Sequence, residues 1–144
     1  MMKRIKSSLE LRVLVIVAVM LSSACTKDSG PVVIRPPVPD TLSFQDTILP
    51  ILVAECAFSG CHPGAASLDL TMAQAYSDLV NVQSLNYAPY LRVKPFSPDS
   101  SVLYQKVLGN TDFGTQMPIG PGATPLTDEE QGLIYDWIAQ GANP

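Results

Sequence analysis

Two cysteines and the only histidine of this 144-residue chain lie close together, in the segment Cys56-Ala57-Phe58-Ser59-Gly60-Cys61-His62. Four residues separate the two thiols, and the histidine directly follows the second one. Thiols and an imidazole at such short spacing can hold one bound group, or the thiols can react with each other. Either outcome fixes the chain at this point and constrains how the rest of it folds.

The order of these residues suits covalent attachment of haem. Two cysteines can form thioethers at one edge of a porphyrin, and a histidine next to the second cysteine is then carried beneath the iron. The usual spacing has two residues between the cysteines, so the four found here require a bulged turn. Ser59 and Gly60 are residue types that allow such a bulge.

Other uses of the same residues remain open. A disulfide between Cys56 and Cys61, or a free dithiol, would be reasonable in an oxidising exported compartment. A closed zinc site is disfavoured because it needs four Cys or His ligands, and this segment offers three. A thioredoxin-like redox pair is disfavoured by its different spacing and by the missing strand and helix order.

The N-terminus has the order of a bacterial export signal. Basic residues precede the apolar stretch 13–21, which is followed by Leu21-Ser22-Ser23-Ala24-Cys25. This end resembles a lipoprotein signal, and the alternative is an ordinary signal peptide with a chance cysteine near the cleavage site. We expect a signal peptide at 1–24, lipidation of Cys25, a proline-rich tether at 25–41 and a folded domain at 42–144. The protein would then be lipid-anchored in the cell envelope, facing the periplasm or the cell surface.

Charge limits the partners of the mature chain. Cleavage before Cys25 leaves five basic residues against twelve acidic ones, a formal charge of −7 (5 − 12). A domain this acidic is a poor candidate for binding nucleic acid. It suits a partner protein with a basic surface.

Helix-end signals in the domain predict a small all-α fold. Ser43 is a candidate cap for a first helix, in which Pro50 marks a bend or the first turn. Thr127 and Glu130 form a capping box for a last helix, which Gly141 ends. That helix has a predicted buried stripe, Leu133, Ile134, Trp137 and Ile138.

Two further helices are expected between these. Thr71 and Gln74 have the spacing of a capping box. Asp99 or Ser100 is a candidate start for the other helix, and Gly109 its end. We find no alternating strand pattern, so the prediction is short helices separated by long loops.

The mature chain has two methionines, and one is a candidate iron ligand. Met117 lies in a loop rich in Gly and Pro, from which a thioether could reach across a flat cofactor. Met72 starts a helix and is expected to pack in the core. Aromatic residues that could surround a haem are Phe44, Phe58, Tyr76, Tyr87, Tyr90, Tyr104, Phe113 and Trp137.

Taken in order, the motifs from Phe44 to Ala142 resemble the planctomycete-type cytochrome c domain and, more loosely, class I c-type cytochromes. The matching motifs are Ile48-Leu49-Pro50-Ile51-Leu52, the Cys56/Cys61/His62 segment, Leu68-Asp69-Leu70, Arg92-Val93-Lys94-Pro95, Ser97-Pro98-Asp99-Ser100-Ser101, Leu103-Tyr104, Met117-Pro118, and Leu126-Thr127 through Trp137-Ile138 with Gly141-Ala142. The resemblance implies one covalent haem c at Cys56 and Cys61, with His62 and Met117 as axial ligands. It also implies that the first and last helices cross beside the haem. Phe96 departs from the pattern, since glycine often follows the proline in the family.

The sequence thus predicts a membrane-anchored monohaem cytochrome that transfers electrons to or from a redox partner and is not an enzyme. One alternative is a haem-free, disulfide-stapled binding module of a surface lipoprotein. The other is a peroxidase-like haem protein, if Met117 leaves the iron open. That alternative has little support, because no second histidine exists to serve as a distal base.

Overall fold

The computed structural model describes residues 40–57, 61–62, 68–120 and 122–144. The expected signal peptide, Cys25 and almost all of the tether lie outside these residues. Within them the regular structure is helical, with isolated bridges and no extended strand, which confirms the all-α class. The α-helices are α1 (Leu49–Glu55), α2 (Ala75–Leu79), α3 (Val102–Leu108) and α4 (Asp128–Ala139). None of the helices in this part of the chain has the length and hydropathy needed to cross a membrane.

The first helical segment begins where the sequence predicted. Ser43 accepts a hydrogen bond from the Asp46 N–H and caps a π-helical turn, Phe44–Ile48, which continues into α1. Pro50 lies in the first turn of α1, where proline is best tolerated in a helix. The π turn was not expected from the sequence. α1 ends at Glu55, so it delivers the chain directly to Cys56.

The last helix also confirms its prediction. Thr127 accepts a hydrogen bond from the Glu130 N–H, and the Glu130 carboxylate accepts one from the Thr127 N–H at 2.8 Å. Ile134, Trp137 and Ile138 are completely buried, while Leu133 is half-buried. The capping box therefore fixes the start of α4, and its apolar stripe forms part of the core.

The two ends of the domain pack against each other. The Phe44 ring lies 5.4 Å from that of Trp137 and 5.2 Å from that of Tyr76, measured between centroids. The Asn143 carbonyl accepts hydrogen bonds from the Phe44 N–H at 3.2 Å and from Trp137 Nε1 at 2.8 Å. The π turn and α4 are thus joined by an aromatic contact and by one shared backbone acceptor.

The middle helices were located correctly, but their starts were wrong. α2 begins after Gln74, which makes no side-chain cap, because the Asp69 carboxylate instead accepts from the Thr71 N–H at 2.8 Å. A 3₁₀ turn occupies Pro98–Ser100, and α3 starts after Ser101. Gly109 ends α3 in the left-handed conformation, as predicted.

The segment between α2 and α3 lies against the start of α3. Leu91 forms a parallel bridge with Ser101, and the Leu91 carbonyl accepts from the Val102 N–H at 3.0 Å. The Arg92 carbonyl accepts from the Leu103 N–H at 2.9 Å. These bonds place Arg92 beside the N-terminal turn of α3, where both contribute to one wall of a cavity.

Phe96 has a conformation that usually belongs to glycine. Its φ angle is +62°, and its N–H donates to the Ile138 carbonyl at 2.8 Å. Its ring covers Gly141, where a Cβ atom would lie 2.6 Å from the Phe96 Cζ atom. The backbone here is therefore set by its bond to α4 and not by the preference of the side chain.

Candidate functional site

One cavity of about 220 Å³ opens into the domain, with mostly apolar walls. Aliphatic side chains from several parts of the chain form these walls: Leu68, Leu70, Leu79, Val102, Leu103 and Val107. The segment 84–87 contributes four consecutive lining residues, among which Leu85 is 72% exposed. The cavity wall therefore combines buried aliphatic side chains with the exposed Leu85.

Cys56, His62 and Met117 all line this cavity. They come from the end of α1, the segment after it and the loop that follows α3. The structure therefore brings together three of the four residues that the sequence predicted to bind a cofactor. Cys61, the fourth, is half-exposed and is not among the residues of the cavity wall.

Backbone hydrogen bonds fix Cys56 and His62 at the end of α1. The Leu52 carbonyl accepts from the N–H groups of both Cys56 and Ala57, at 2.9 and 3.0 Å. The His62 N–H then donates to the Cys56 carbonyl at 3.1 Å, and the His62 carbonyl accepts from the Leu70 N–H at 3.1 Å. The chain thus closes on itself between Cys56 and His62, which brings the histidine back to the thiol.

One ring nitrogen of the His62 imidazole is buried. This atom, Nδ1, has no hydrogen-bond partner among the described residues. A buried nitrogen without a partner is costly, and a bound water, an ion or another ligand is one way to satisfy it. Here the nitrogen belongs to a residue of the cavity wall.

The Cys56 thiol is held in its neutral form. Burial raises its pKa from an ordinary value of 9.0 to about 11, and the carboxylates of Glu55 and Glu130 and the neighbouring Cys61 add to the effect. Cys56 and Cys61 are both free thiols in this structure, so the disulfide alternative is not realised here.

Met117 is held against the C-terminal end of α3. Its N–H donates to the Lys106 carbonyl at 2.9 Å, and Gln116 Nε2 donates to the Val107 carbonyl at 2.8 Å. Carbonyls in the last turn of a helix have no partner within the helix. The loop of residues 110–120, called the methionine loop below, therefore donates hydrogen bonds to carbonyls at the end of α3. These bonds bring Met117 to the cavity.

Other sequence predictions about the site fared differently. Met72 is 72% exposed, so its predicted packing in the core is wrong; it lies in the turns before α2. Tyr87 lines the cavity, as a haem-surrounding residue should. Phe44 and Trp137 lie in the core and do not line it, whereas Phe58 lies outside the described residues.

Sequence reasoning missed two basic residues of the cavity wall, Arg92 and Lys106. Arg92 Nη1 donates to the Asp78 carbonyl at 2.8 Å. Lys106 Nζ donates to the carbonyls of Phe113 and Thr115 at 2.9 and 2.7 Å. Arg92 belongs to the motif Arg92-Val93-Lys94-Pro95 named above but was not expected at the site, and no local pattern marks Lys106. The available signal was their scarcity, since the mature chain has only five basic residues.

The donors fit a haem better than they fit a bare metal ion. An imidazole nitrogen and a thioether sulfur are common axial ligands of haem iron, and apolar walls suit a porphyrin. No group of three or more His, Cys, Asp or Glu side chains within the described residues could hold a metal ion. The cavity volume lies below the range of about 300–1,000 Å³ typical of ligand pockets. A whole porphyrin would therefore extend beyond this cavity.

Comparisons of the chain with protein-family models, with curated proteins and with solved structures found no match. The residues of the cavity are therefore the basis on which a function can be proposed.

Proposed function

We propose that this protein is a membrane-anchored monohaem c-type cytochrome that transfers electrons. Its domain would have a cytochrome c-like fold, with thioethers at Cys56 and Cys61 and axial ligation by His62 and Met117. The observation that supports this most strongly is the shared cavity, in which Cys56, His62 and Met117 meet although Met117 is distant along the sequence.

The proposal assigns a task to each of these side chains. A bound haem would supply one-electron chemistry by cycling between ferric and ferrous iron. His62 would offer an imidazole nitrogen and Met117 a thioether sulfur, a pair that favours the reduced state and raises the potential. The buried thiol of Cys56 lies in the cavity wall, within the part of the site where attachment would occur. The aliphatic walls would keep water away and so tune the potential further.

The surroundings of the domain agree with a role in the cell envelope. Acylation of Cys25 would attach the chain to a membrane, and the proline-rich segment 25–41 would hold the domain at a distance. The acidic mature chain would dock a redox partner with a basic surface, and its association rate would fall as salt rises.

The first experiment is coexpression of the chain with a haem-attachment system, followed by intact mass and absorption spectra in both redox states. We expect the mass to increase by one haem, and the increase to disappear in a Cys56→Ala, Cys61→Ala double variant. An unmodified mass in the wild-type chain would refute the proposal and favour the haem-free binding module.

Ligation by Met117 has a matched control within the chain. Met117→Ala should abolish the far-red sulfur-to-iron band of the oxidised protein, whereas Met72→Ala should leave it unchanged because Met72 is exposed. If Met117→Ala keeps the band, the sixth ligand lies elsewhere. Rapid cyanide binding together with peroxide turnover in the wild type would instead favour the peroxidase-like alternative.

A further inference from the structure

Lys106 contacts the methionine loop at three points. Its backbone carbonyl accepts from the Met117 N–H at 2.9 Å. Its ammonium donates to the carbonyls of Phe113 and Thr115, at 2.9 and 2.7 Å. One residue of α3 thus binds the loop just before Met117 and at Met117 itself.

Within the described part of the chain, the Lys106 ammonium contacts backbone carbonyls and an aromatic ring and no carboxylate. Its partners are the Phe113 and Thr115 carbonyls and the Tyr87 ring, whose centroid is 5.7 Å from Nζ. The positive charge also lies in the last turn of α3, where it interacts favourably with the negative end of the helix dipole. The mature chain has only five basic residues, and this one donates its hydrogen bonds to backbone carbonyls of a loop.

The same contacts connect the methionine loop to the segment 84–87, which also lines the cavity. The Tyr87 hydroxyl donates to the Phe113 carbonyl at 2.5 Å, so this oxygen is shared between Tyr87 and Lys106. The Phe113 ring lies between those of Tyr87 and Tyr90, at centroid distances of 5.4 and 5.2 Å. A shift of the Lys106 side chain would remove two of the hydrogen bonds that hold the methionine loop and leave the Phe113 carbonyl with Tyr87 alone.

We infer that Lys106 is a positioning residue for Met117, which fixes the loop so that the thioether stays at the cavity wall. This rests on the proposed function for its consequence, iron ligation, but the placement of the loop does not require a bound haem. Lys106 acts through Met117 and has no chemical role of its own in electron transfer.

The test uses the protein as isolated from expressing cells, with methionine labelled at its methyl carbon. Met117 and Met72 then report side by side, and exposed Met72 serves as an internal reference. In Lys106→Leu, which adds no further methionine, we expect the Met117 methyl signal to move and broaden, and the Met117 N–H to exchange about tenfold faster or more. The Met72 signal should not change. Lys106→Arg, which keeps charge and donors, should restore much of the wild-type behaviour.

Lys94→Leu is the matched control, because it removes one exposed lysine from a position outside both α3 and the methionine loop. In haem-containing protein, Lys106→Leu should also weaken the far-red band and lower the reduction potential, and Lys94→Leu should do neither. Should Lys106→Leu fail to fold, Lys106→Gln removes the charge but keeps a donor, and is read in the same way. An unchanged Met117 methyl and N–H in these Lys106 variants would overturn the inference. A wild-type protein without haem would refute the proposed function, while the methyl and N–H measurements would still test Lys106.

Discussion

The helical ends of the domain and the loop that carries Met117 are stabilised by different kinds of interaction. At the ends, Ser43 and Thr127 cap their helices locally, and buried aromatic side chains then join the π turn to α4. The regular structure of the methionine loop is one short 3₁₀ turn, Thr111–Phe113. The loop is held in place by hydrogen bonds to carbonyls at the C-terminal end of α3 that have no partner within the helix. The π turn and α4 therefore form a frame of regular structure. Met117, in contrast, is positioned by hydrogen bonds between distant segments.

The largest effect should come from the frame. Trp137→Ala removes a completely buried ring and the hydrogen bond from its Nε1 to the Asn143 carbonyl. We expect the free energy of unfolding to fall by about 3–5 kcal/mol, measured by urea denaturation. Tyr135→Ala, on the partly exposed side of α4, should cost about 1 kcal/mol. Equal losses in the two variants would show that α4 is not anchored through its buried stripe.

Removing a side chain from the loop region should have a smaller and more local effect. Phe113 is 7% exposed and lies between Tyr87 and Tyr90, outside the main core. Phe113→Ala should cost about 2–3 kcal/mol and speed amide exchange at Met117 more than in α4. If exchange accelerates uniformly, the loop and the frame unfold as one unit and the comparison fails. Leu85→Ala, at the exposed rim, should stay within about 0.5 kcal/mol of wild type.

When haem is not attached, the Cys56 thiol should make the free energy of unfolding depend on pH. Folding raises the pKa of Cys56 to about 11, so the folded state keeps a proton that the unfolded state releases near pH 9. This stabilisation is fully present below pH 9 and is lost as the pH rises through about 11, by on the order of 2 kcal/mol.

The measurement for Cys56 is urea denaturation at pH 8 and pH 11.5 in wild type, Cys56→Ala and Cys61→Ala. Other groups also titrate in this range, so the informative quantity is the difference between variants. The loss should be smaller in Cys56→Ala and remain in Cys61→Ala. The same loss in all three proteins would mean that Cys56 is not the group responsible.

The smallest effect should come from a single helix cap. Thr127→Ala removes one member of the capping box of α4, and we expect a loss of about 1 kcal/mol in the free energy of unfolding. Thr124→Ala, in the exposed chain before the helix, should have almost no effect. If both variants unfold at the wild-type urea concentration, tertiary packing rather than the cap fixes the start of α4.

Local chemistry explains which parts of the fold could be predicted. Ser43, the Thr127–Glu130 box and Gly109 act on backbone groups a few residues away, so their patterns are visible in the sequence. The predicted box at Thr71 failed because Asp69 competes for the same N–H. Met72 was placed in the core because a methionine near a helix start has no feature that tells an exposed side from a buried one.

By itself the sequence determined the helical class, the ends of the outer helices and the choice of Cys56, His62 and Met117 as candidates. The expected signal peptide and lipidation of Cys25 remain predictions from the sequence. The tertiary structure decided that the three candidates share one cavity and that Lys106 holds the methionine loop. Caps and apolar stripes depend on neighbours along the chain, whereas a cavity depends on which distant segments satisfy one another's backbone groups. No sequence pattern records that pairing, because a helix-end carbonyl accepts a hydrogen bond from any N–H that the fold brings to it.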